Sequence, residues 1–132
     1  MKPEIINSNW PNALRWFLVQ NTESFCPWHF LSHSTEFESA AKAFANEDTK
    51  NRMVFVFASR QDNDDFAGLE IVDGTITDKV IVFHPVFGSG KSYRSWDVVE
   101  TEYNDVFEFL SNHIVQDMKD WALTEDASDL LG

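Results

Sequence analysis

The 132-residue sequence predicts an α+β domain built on a mostly antiparallel sheet of about 4–6 strands. Near both ends of the chain, apolar residues recur at spacings of three and four, the period of an amphipathic helix. From residue 52 to 85, β-branched and aromatic residues form short runs separated by polar or glycine-containing turns. Helices followed by strands and a last helix are typical of this class. One domain over residues 1–118 is predicted, with residues 119–132 as an acidic C-terminal tail.

Two helices are predicted before the first long strand. The first covers residues 8–20, with Asn9 as the expected cap and Pro11 in the first turn. The second begins near Thr35, because Thr35 and Glu38 have the spacing of a capping box. Both segments carry an apolar stripe, so these N-terminal helices are expected to flank the sheet.

The strands follow as three apolar runs, "MVFVFAS", "FAGLEIV" and "TITDKVIVFHP", with "RSWDVVE" as a possible fourth. The first run has no polar alternation, which indicates a central strand buried on both faces. Asp73 and Gly74 separate the second and third runs and form a strong hairpin signal.

One long helix is predicted to close the domain. Its apolar positions recur every three or four residues at Tyr103, Val106, Phe107, Leu110, Ile114 and Met118. The same periodicity assigns five large apolar residues to the core: Trp16, Phe55, Phe57, Phe107 and Leu110.

No motif in the sequence predicts a catalytic residue, a cofactor or a metal ion. The stretch "VFGSGKSY" ends like a phosphate-binding loop, but Pro85 stands where the loop requires its first glycine. His29 and His33 have i,i+4 spacing without the glutamate of a zinc protease beside them. Cys26 is the one cysteine and is interpreted as a buried small apolar residue.

The charge of the chain is strongly acidic and unevenly distributed. The formal net charge is −12, and residues 95–132 contribute −9 of it through ten acidic and one basic side chain. This charge argues against a general affinity for nucleic acids or anionic membranes, whose phosphates would be repelled. Two interpretations stay open, namely acidity that only keeps the protein soluble and a surface that meets a basic partner.

The sequence also predicts a cytoplasmic protein. No apolar run approaches the ~20 residues needed to cross a bilayer. The first residues, "MKPEIINSNW", lack the basic start and apolar core of a signal peptide.

Several phrases resemble the SUKH superfamily, the small α+β domain of yeast cell-wall-synthesis regulators and of many bacterial toxin-immunity proteins. They are "WPNALRWFLVQNTE", "RMVFVFAS", "QDNDDFAGLEIVDG", "KVIVFHP" and a tryptophan followed by "YNDVFEFLSNHI", spread over roughly residues 10–118. The last phrase is similar to the aromatic pattern of the family's final helix at Tyr103, Val106, Phe107 and Phe109.

The resemblance implies a non-enzymatic binding module, often an immunity protein that neutralises a basic toxin domain such as a nuclease by occluding it. Together with the acidic block it selects a partner-binding surface composed of Asp62, Asp64, Asp65, Trp96, Asp97, Glu100, Glu102 and Asp105. Two other hypotheses stay open. One is a regulatory scaffold or adaptor that docks on a cellular partner, and the other is a small enzyme that uses His84 and a carboxylate in a deep pocket.

Overall fold

A six-stranded antiparallel sheet forms the centre of the computed structural model, which describes residues 5–31, 34–88 and 97–131. Neighbouring strands follow one another along the chain, in the order β1 to β6. The α+β class predicted from the sequence is therefore confirmed. The strands are β1 (Ser24–Phe25), β2 (Trp28–Phe30), β3 (Met53–Arg60), β4 (Phe66–Val72), β5 (Thr75–Phe83) and β6 (Val99–Tyr103).

Helices cover both faces of this sheet. On one face lie α1 (Asn12–Val19) and a C-terminal helix, whose residues share an apolar cluster with alternate residues of β3 to β5. On the other face α2 (Ser34–Glu47) forms a second cluster with the remaining residues of these strands. The C-terminal helix comprises α3 (Val106–Phe109), a π-helical segment (Leu110–Ile114) and α4 (Val115–Ala122). A 3₁₀ turn (Ala127–Leu130) follows it.

The central strands are buried on both faces, as the apolar run in β3 predicts. Phe57 and Leu69 point into the cluster below α1 and the C-terminal helix, whereas Val54 and Val56 contact the cluster below α2. Successive side chains of a strand point to opposite faces of the sheet, so a strand with apolar residues at successive positions contributes to the apolar clusters on both faces. The Asp73-Gly74 hairpin is also confirmed, because Val72 pairs with Thr75 and both turn residues have positive φ.

The first two strands, β1 and β2, were not predicted. They form a short hairpin around Cys26 and a cis-Pro27, and β2 pairs with the outer edge of β3. Strands of two and three residues are too short to show a period in the sequence. Trp28 and Phe30 of this hairpin are nevertheless buried in the core.

Helix starts differ from the sequence-based expectation at three places. Pro11, rather than Asn9, precedes the first residue of α1. Thr35 lies inside α2, because that helix begins at Ser34. The C-terminal helix begins at Val106 rather than near Tyr103, because β6 continues through Tyr103 and Asp105 then caps the helix.

Two of the large apolar residues assigned to the core are at the surface. Trp16 is 54% exposed and Phe107 is 49% exposed. Phe107 directly follows the buried Val106, so it lies about a quarter turn around the helix, where it contacts Phe17 at 5.0 Å between ring centroids. The spacing of apolar residues along a helix therefore did not distinguish the face that packs on the sheet from the flank of the helix, which stays exposed.

Among the described residues, no helix combines the length and the apolarity needed to cross a lipid bilayer.

Candidate functional site

The ends of three neighbouring strands bring together Asp65, His84 and Glu100. Phe66 of β4 pairs with Phe83 of β5, and Phe83 pairs with Val99 of β6. The residues before β4, after β5 and at the start of β6 are therefore neighbours at one end of the sheet. Asp65 Oδ1 and His84 Nδ1 are 2.8 Å apart, and one ligand atom from each of the three side chains lies within 4.8 Å of the others.

The three side chains differ in how firmly they are held. Asp65 is buried, with 7% of its surface exposed. Its backbone is fixed as well, since its N–H donates to Asn63 Oδ1 at 2.9 Å and its carbonyl accepts from the Arg60 N–H at 3.0 Å. The His84 side chain is half exposed and Glu100 is exposed. A fixed carboxylate thus faces two side chains that have room to adjust.

Arg60, whose backbone N–H donates to the Asp65 carbonyl, pairs its side chain with other carboxylates. It contacts Asp62 at 2.6 Å and Asp117 of α4 at 3.2 Å, and Asp117 also accepts the indole N–H of Trp28 at 2.8 Å. Among the described residues, therefore, no lysine or arginine pairs with the carboxylates of Asp65 and Glu100.

The pKa of the Glu100 carboxyl is shifted by its surroundings. Partial burial of this carboxyl raises its pKa to about 7, and the hydrogen bond and charge of Asp65 act in the same direction. His84 opposes the shift and Asp117 adds to it. Burial lowers the pKa of His113, because it disfavours the charged imidazolium, and the charges of Asp117 and Asp65 only partly oppose this shift.

A pH-dependent stability follows from Glu100. Because its pKa in the folded chain is about 7, above the value of about 4.3 expected in the unfolded chain, the folded state binds more protons between these values. We therefore expect the stabilisation from protonated Glu100 to be complete below pH 4 and lost as the pH rises through 7. In buffers free of divalent cations, Glu100→Gln should raise the melting temperature at pH 8 and flatten its dependence between pH 5 and 8.

Glu102 provides the matched control for this measurement. Lys79 lowers the pKa of Glu102 through a hydrogen bond, against the effect of burial, and Arg52 also lowers it. Glu102→Gln should therefore reduce the melting temperature at pH 8. Equal changes of melting temperature in the two glutamine variants would contradict the opposite pKa shifts of Glu100 and Glu102.

Four of the residues selected from the sequence lie at this end of the sheet with exposed carboxylates. We call them the acidic surface: Asp62, Asp64, Asp97 and Glu100. Glu125, beyond α4, continues it, because the charges of Asp62 and Glu125 both raise the pKa of the Cys26 thiol in addition to the larger effect of burial. Cys26 itself is partly exposed rather than buried.

Two residues of the acidic surface have internal partners: Asp62 pairs with Arg60, and Asp97 accepts the Val99 N–H at 3.0 Å. Three further predicted residues are less exposed and also have partners inside the chain. Asp65 is buried against His84, as described above. Glu102 accepts from Arg52 at 3.0 Å and from Lys79 at 2.7 Å. Asp105 accepts the Glu108 N–H at 2.8 Å as the cap of α3. Trp96, the expected apolar anchor, lies outside the described residues, and partner binding at all of these positions stays a prediction.

The segment that resembles a phosphate-binding loop has a different partner in its described part. The carboxylate of Glu47, which is buried at the end of α2, accepts the N–H of Val86 at 2.7 Å and of Gly88 at 3.3 Å. These two N–H groups are therefore not free to bind a phosphate. Residues 89–96 of this segment lie outside the described residues.

Two concave regions have opposite character. An apolar cavity of about 400 Å³ lies beside α2 and is lined largely by aromatic and aliphatic side chains, among them Trp10, Phe37 and Phe55. A polar cleft of about 350 Å³ lies next to the acidic surface, and its lining includes the carboxylates of Glu36, Asp62 and Asp64. His84 contacts a carboxylate, as the enzyme hypothesis requires, but it lines neither of these two regions.

Comparisons of the chain with protein-family models, with curated proteins and with solved structures found no match.

Proposed function

We propose that the protein is a non-enzymatic binding module that recognises a basic protein surface. The observation that carries it is the polar cleft of about 350 Å³ beside the acidic surface, in which the carboxylates of Glu36, Asp62 and Asp64 outnumber one arginine. That arginine, Arg60, is already paired with Asp62 and Asp117. A lysine or arginine side chain of a partner fits the charge of this cleft. Following the sequence resemblance, we propose a cytoplasmic immunity protein of the SUKH type that occludes a basic toxin domain such as a nuclease.

Electrostatics supports this proposal. Nuclease active sites are basic because they hold phosphates, and a chain with net charge −12 attracts such surfaces over distances comparable to the Debye length, about 8 Å at physiological salt. Complementary charge accelerates encounter and suppresses wrong partners. Asp64 and Asp97 are exposed, so a partner's cation can reach them, and neither forms an ion pair with another described residue.

The test reverses charge at these two positions. Immobilised wild-type chain should retain a basic protein from an extract of the source cells at low salt and release it as salt rises. Mass spectrometry identifies that protein, and calorimetry with the purified partner measures its affinity. We expect Asp64→Lys combined with Asp97→Lys to weaken binding at least about tenfold at low salt. The partner expressed alone should arrest bacterial growth, and coexpression of the wild-type chain should restore it.

A double variant at the other end of the sheet serves as the control. Glu70→Lys with Asp78→Lys changes the net charge by the same amount, from −12 to −8, because each acid-to-lysine change adds two charges. Both residues lie toward the opposite ends of β4 and β5, away from the acidic surface. Equal loss of affinity in both double variants would show that the effect is not specific to the acidic surface, and unchanged affinity in the first would exclude that surface.

A second candidate function is a regulatory scaffold, favoured by exposed aromatic residues. Trp16 and Phe107 line one concave region near the hairpin end of the sheet, together with Asp78 and Asp105. Half-exposed tryptophan is common among residues that dominate binding energy. A partner that resists salt and is lost in Trp16→Ala, without growth arrest, would favour this function over toxin neutralisation.

A further inference from the structure

We propose that Asp65, His84 and Glu100 form a binding site for a divalent transition-metal ion, with Zn²⁺ as the preferred ion. The site is independent of the proposed toxin partner, and its test uses the isolated chain.

The set of donor atoms favours zinc. Zn²⁺ binds imidazole nitrogen and carboxylate oxygen at about 2.0–2.2 Å, and three protein ligands with one open position are typical of its exposed sites. A purely acidic cluster would suit Mg²⁺ or Ca²⁺, whereas the imidazole of His84 shifts the preference toward Zn²⁺. The position of Zn²⁺ in the Irving–Williams order also places it above Mn²⁺ and Fe²⁺.

The geometry is close to that of a bound ion. Two ligands of a tetrahedral Zn²⁺ at these bond lengths are separated by about 3.3–3.6 Å, and the three donor atoms here lie within 4.8 Å of one another. The 2.8 Å between Asp65 Oδ1 and His84 Nδ1 must widen, which a rotation of the exposed His84 side chain provides, and the exposed Glu100 side chain rotates to the same separation. Asp65 needs no movement, because its burial and its backbone hydrogen bonds already hold it in place.

Binding through Nδ1 requires His84 to give up its hydrogen bond to Asp65. In the metal-free chain, Nδ1 of His84 and Oδ1 of Asp65 are 2.8 Å apart, and the carboxylate accepts the Nδ1 hydrogen. Coordination through Nδ1 needs the lone pair on that nitrogen, so the proton must reside on Nε2. The side chain is half exposed, which allows water to exchange this proton, and Nε2–H then points toward solvent or a second acceptor.

The surroundings favour a cation. Asp65 and Glu100 contact each other, and Arg60 is paired with Asp62 and Asp117. A divalent ion would satisfy both carboxylates. The three ligands also come from three adjacent strands of one sheet, whose pairing fixes their spacing.

The experiment uses tag-free full-length chain, first treated with chelator and then titrated with ZnCl₂ by calorimetry. We expect one Zn²⁺ per chain and a higher melting temperature in its presence, as binding to the folded state requires. Titration with Co²⁺ should give visible absorption bands from the nitrogen and oxygen ligands. His84→Ala and Glu100→Gln should each weaken Zn²⁺ binding at least about tenfold. Both residues are exposed, so these variants should fold.

The matched control replaces the other residues with zinc-binding potential. Cys26 and His29 both contact Gln61 and offer a thiol and an imidazole close together. Cys26→Ser combined with His29→Ala should leave Zn²⁺ affinity and the Co²⁺ spectrum unchanged. The proposal is overturned if wild-type chain binds no stoichiometric Zn²⁺, if His84→Ala binds it with unchanged affinity, or if the control variant alone loses it. None of these three results depends on whether the chain binds the proposed toxin partner.

Discussion

Replacing Phe109 with alanine is expected to lower the free energy of unfolding by about 3–5 kcal/mol, the cost of removing a buried phenylalanine side chain. Phe109 is fully buried. Its ring contacts Trp28 at 5.2 Å, Phe57 at 5.9 Å and Tyr103 at 5.9 Å between centroids. One side chain thus joins the C-terminal helix to β2, β3 and β6, and its loss leaves a cavity where these elements meet.

Phe107 is the matched control, two residues away in the same helix. It is 49% exposed, so Phe107→Ala should cost about 1 kcal/mol. Urea denaturation measures both values. Helical periodicity assigned Phe107, but not Phe109, to the core, and equal destabilisation by the two substitutions would contradict the placement of Phe107 at the surface.

The second large effect is expected at Arg52. Its guanidinium contacts Asp48 at 2.9 Å and Glu102 at 3.0 Å, and the side chain of Asp48 is completely buried. Removing one partner of a buried ion pair leaves an uncompensated charge in the interior. We expect Arg52→Ala to lower the free energy of unfolding by about 3–5 kcal/mol at pH 7.

The pH dependence of this effect has a definite sign. Burial alone would raise the pKa of Asp48, but the hydrogen bonds from Arg52 outweigh burial and lower it. The wild-type pair therefore stabilises the fold above the unfolded pKa of about 3.9, and this contribution disappears as the pH falls through the folded value. The difference in free energy of unfolding between wild type and Arg52→Ala should therefore become smaller as the pH falls below 4. Denaturant titrations at several pH values measure this difference.

Lys79 provides the comparison for Arg52. It contacts the same Glu102 at 2.7 Å, but its side chain is 45% exposed. An exposed pair contributes about 0–1 kcal/mol, so Lys79→Ala should have a small effect at every pH. If Lys79→Ala lowered the free energy of unfolding as much as Arg52→Ala, burial of Asp48 would not be the source of the effect.

Several features of the fold could be predicted from short stretches of sequence. The apolar run of β3 indicates a strand buried on both faces, and Val54, Val56 and Phe57 are indeed buried. Asp73-Gly74 indicates a hairpin because few other residues adopt the left-handed backbone that this turn requires. Each of these signals acts within a few residues, so no knowledge of distant neighbours was needed.

The candidate site was only partly predictable, for a related reason. Acid-rich segments identified Asp62, Asp64, Asp97 and Glu100, which are exposed at one end of the sheet. The same criterion selected Glu102 and Asp105, whose partners inside the chain are invisible in composition. The number of acidic residues in a segment does not reveal which carboxylates already have a cation or an N–H donor.

Periodicity and composition are local properties, and they were sufficient to predict the class of the fold, the main strands, one hairpin and a strongly acidic charge. The contact of His84 with Asp65 and Glu100 could not be predicted in this way, since these residues are far apart along the chain. Their contact depends on the register of β4, β5 and β6, and a shift of one residue would turn each side chain to the other face of the sheet. The docking of the C-terminal helix likewise decided that Phe109 is buried while Phe107 stays at the surface.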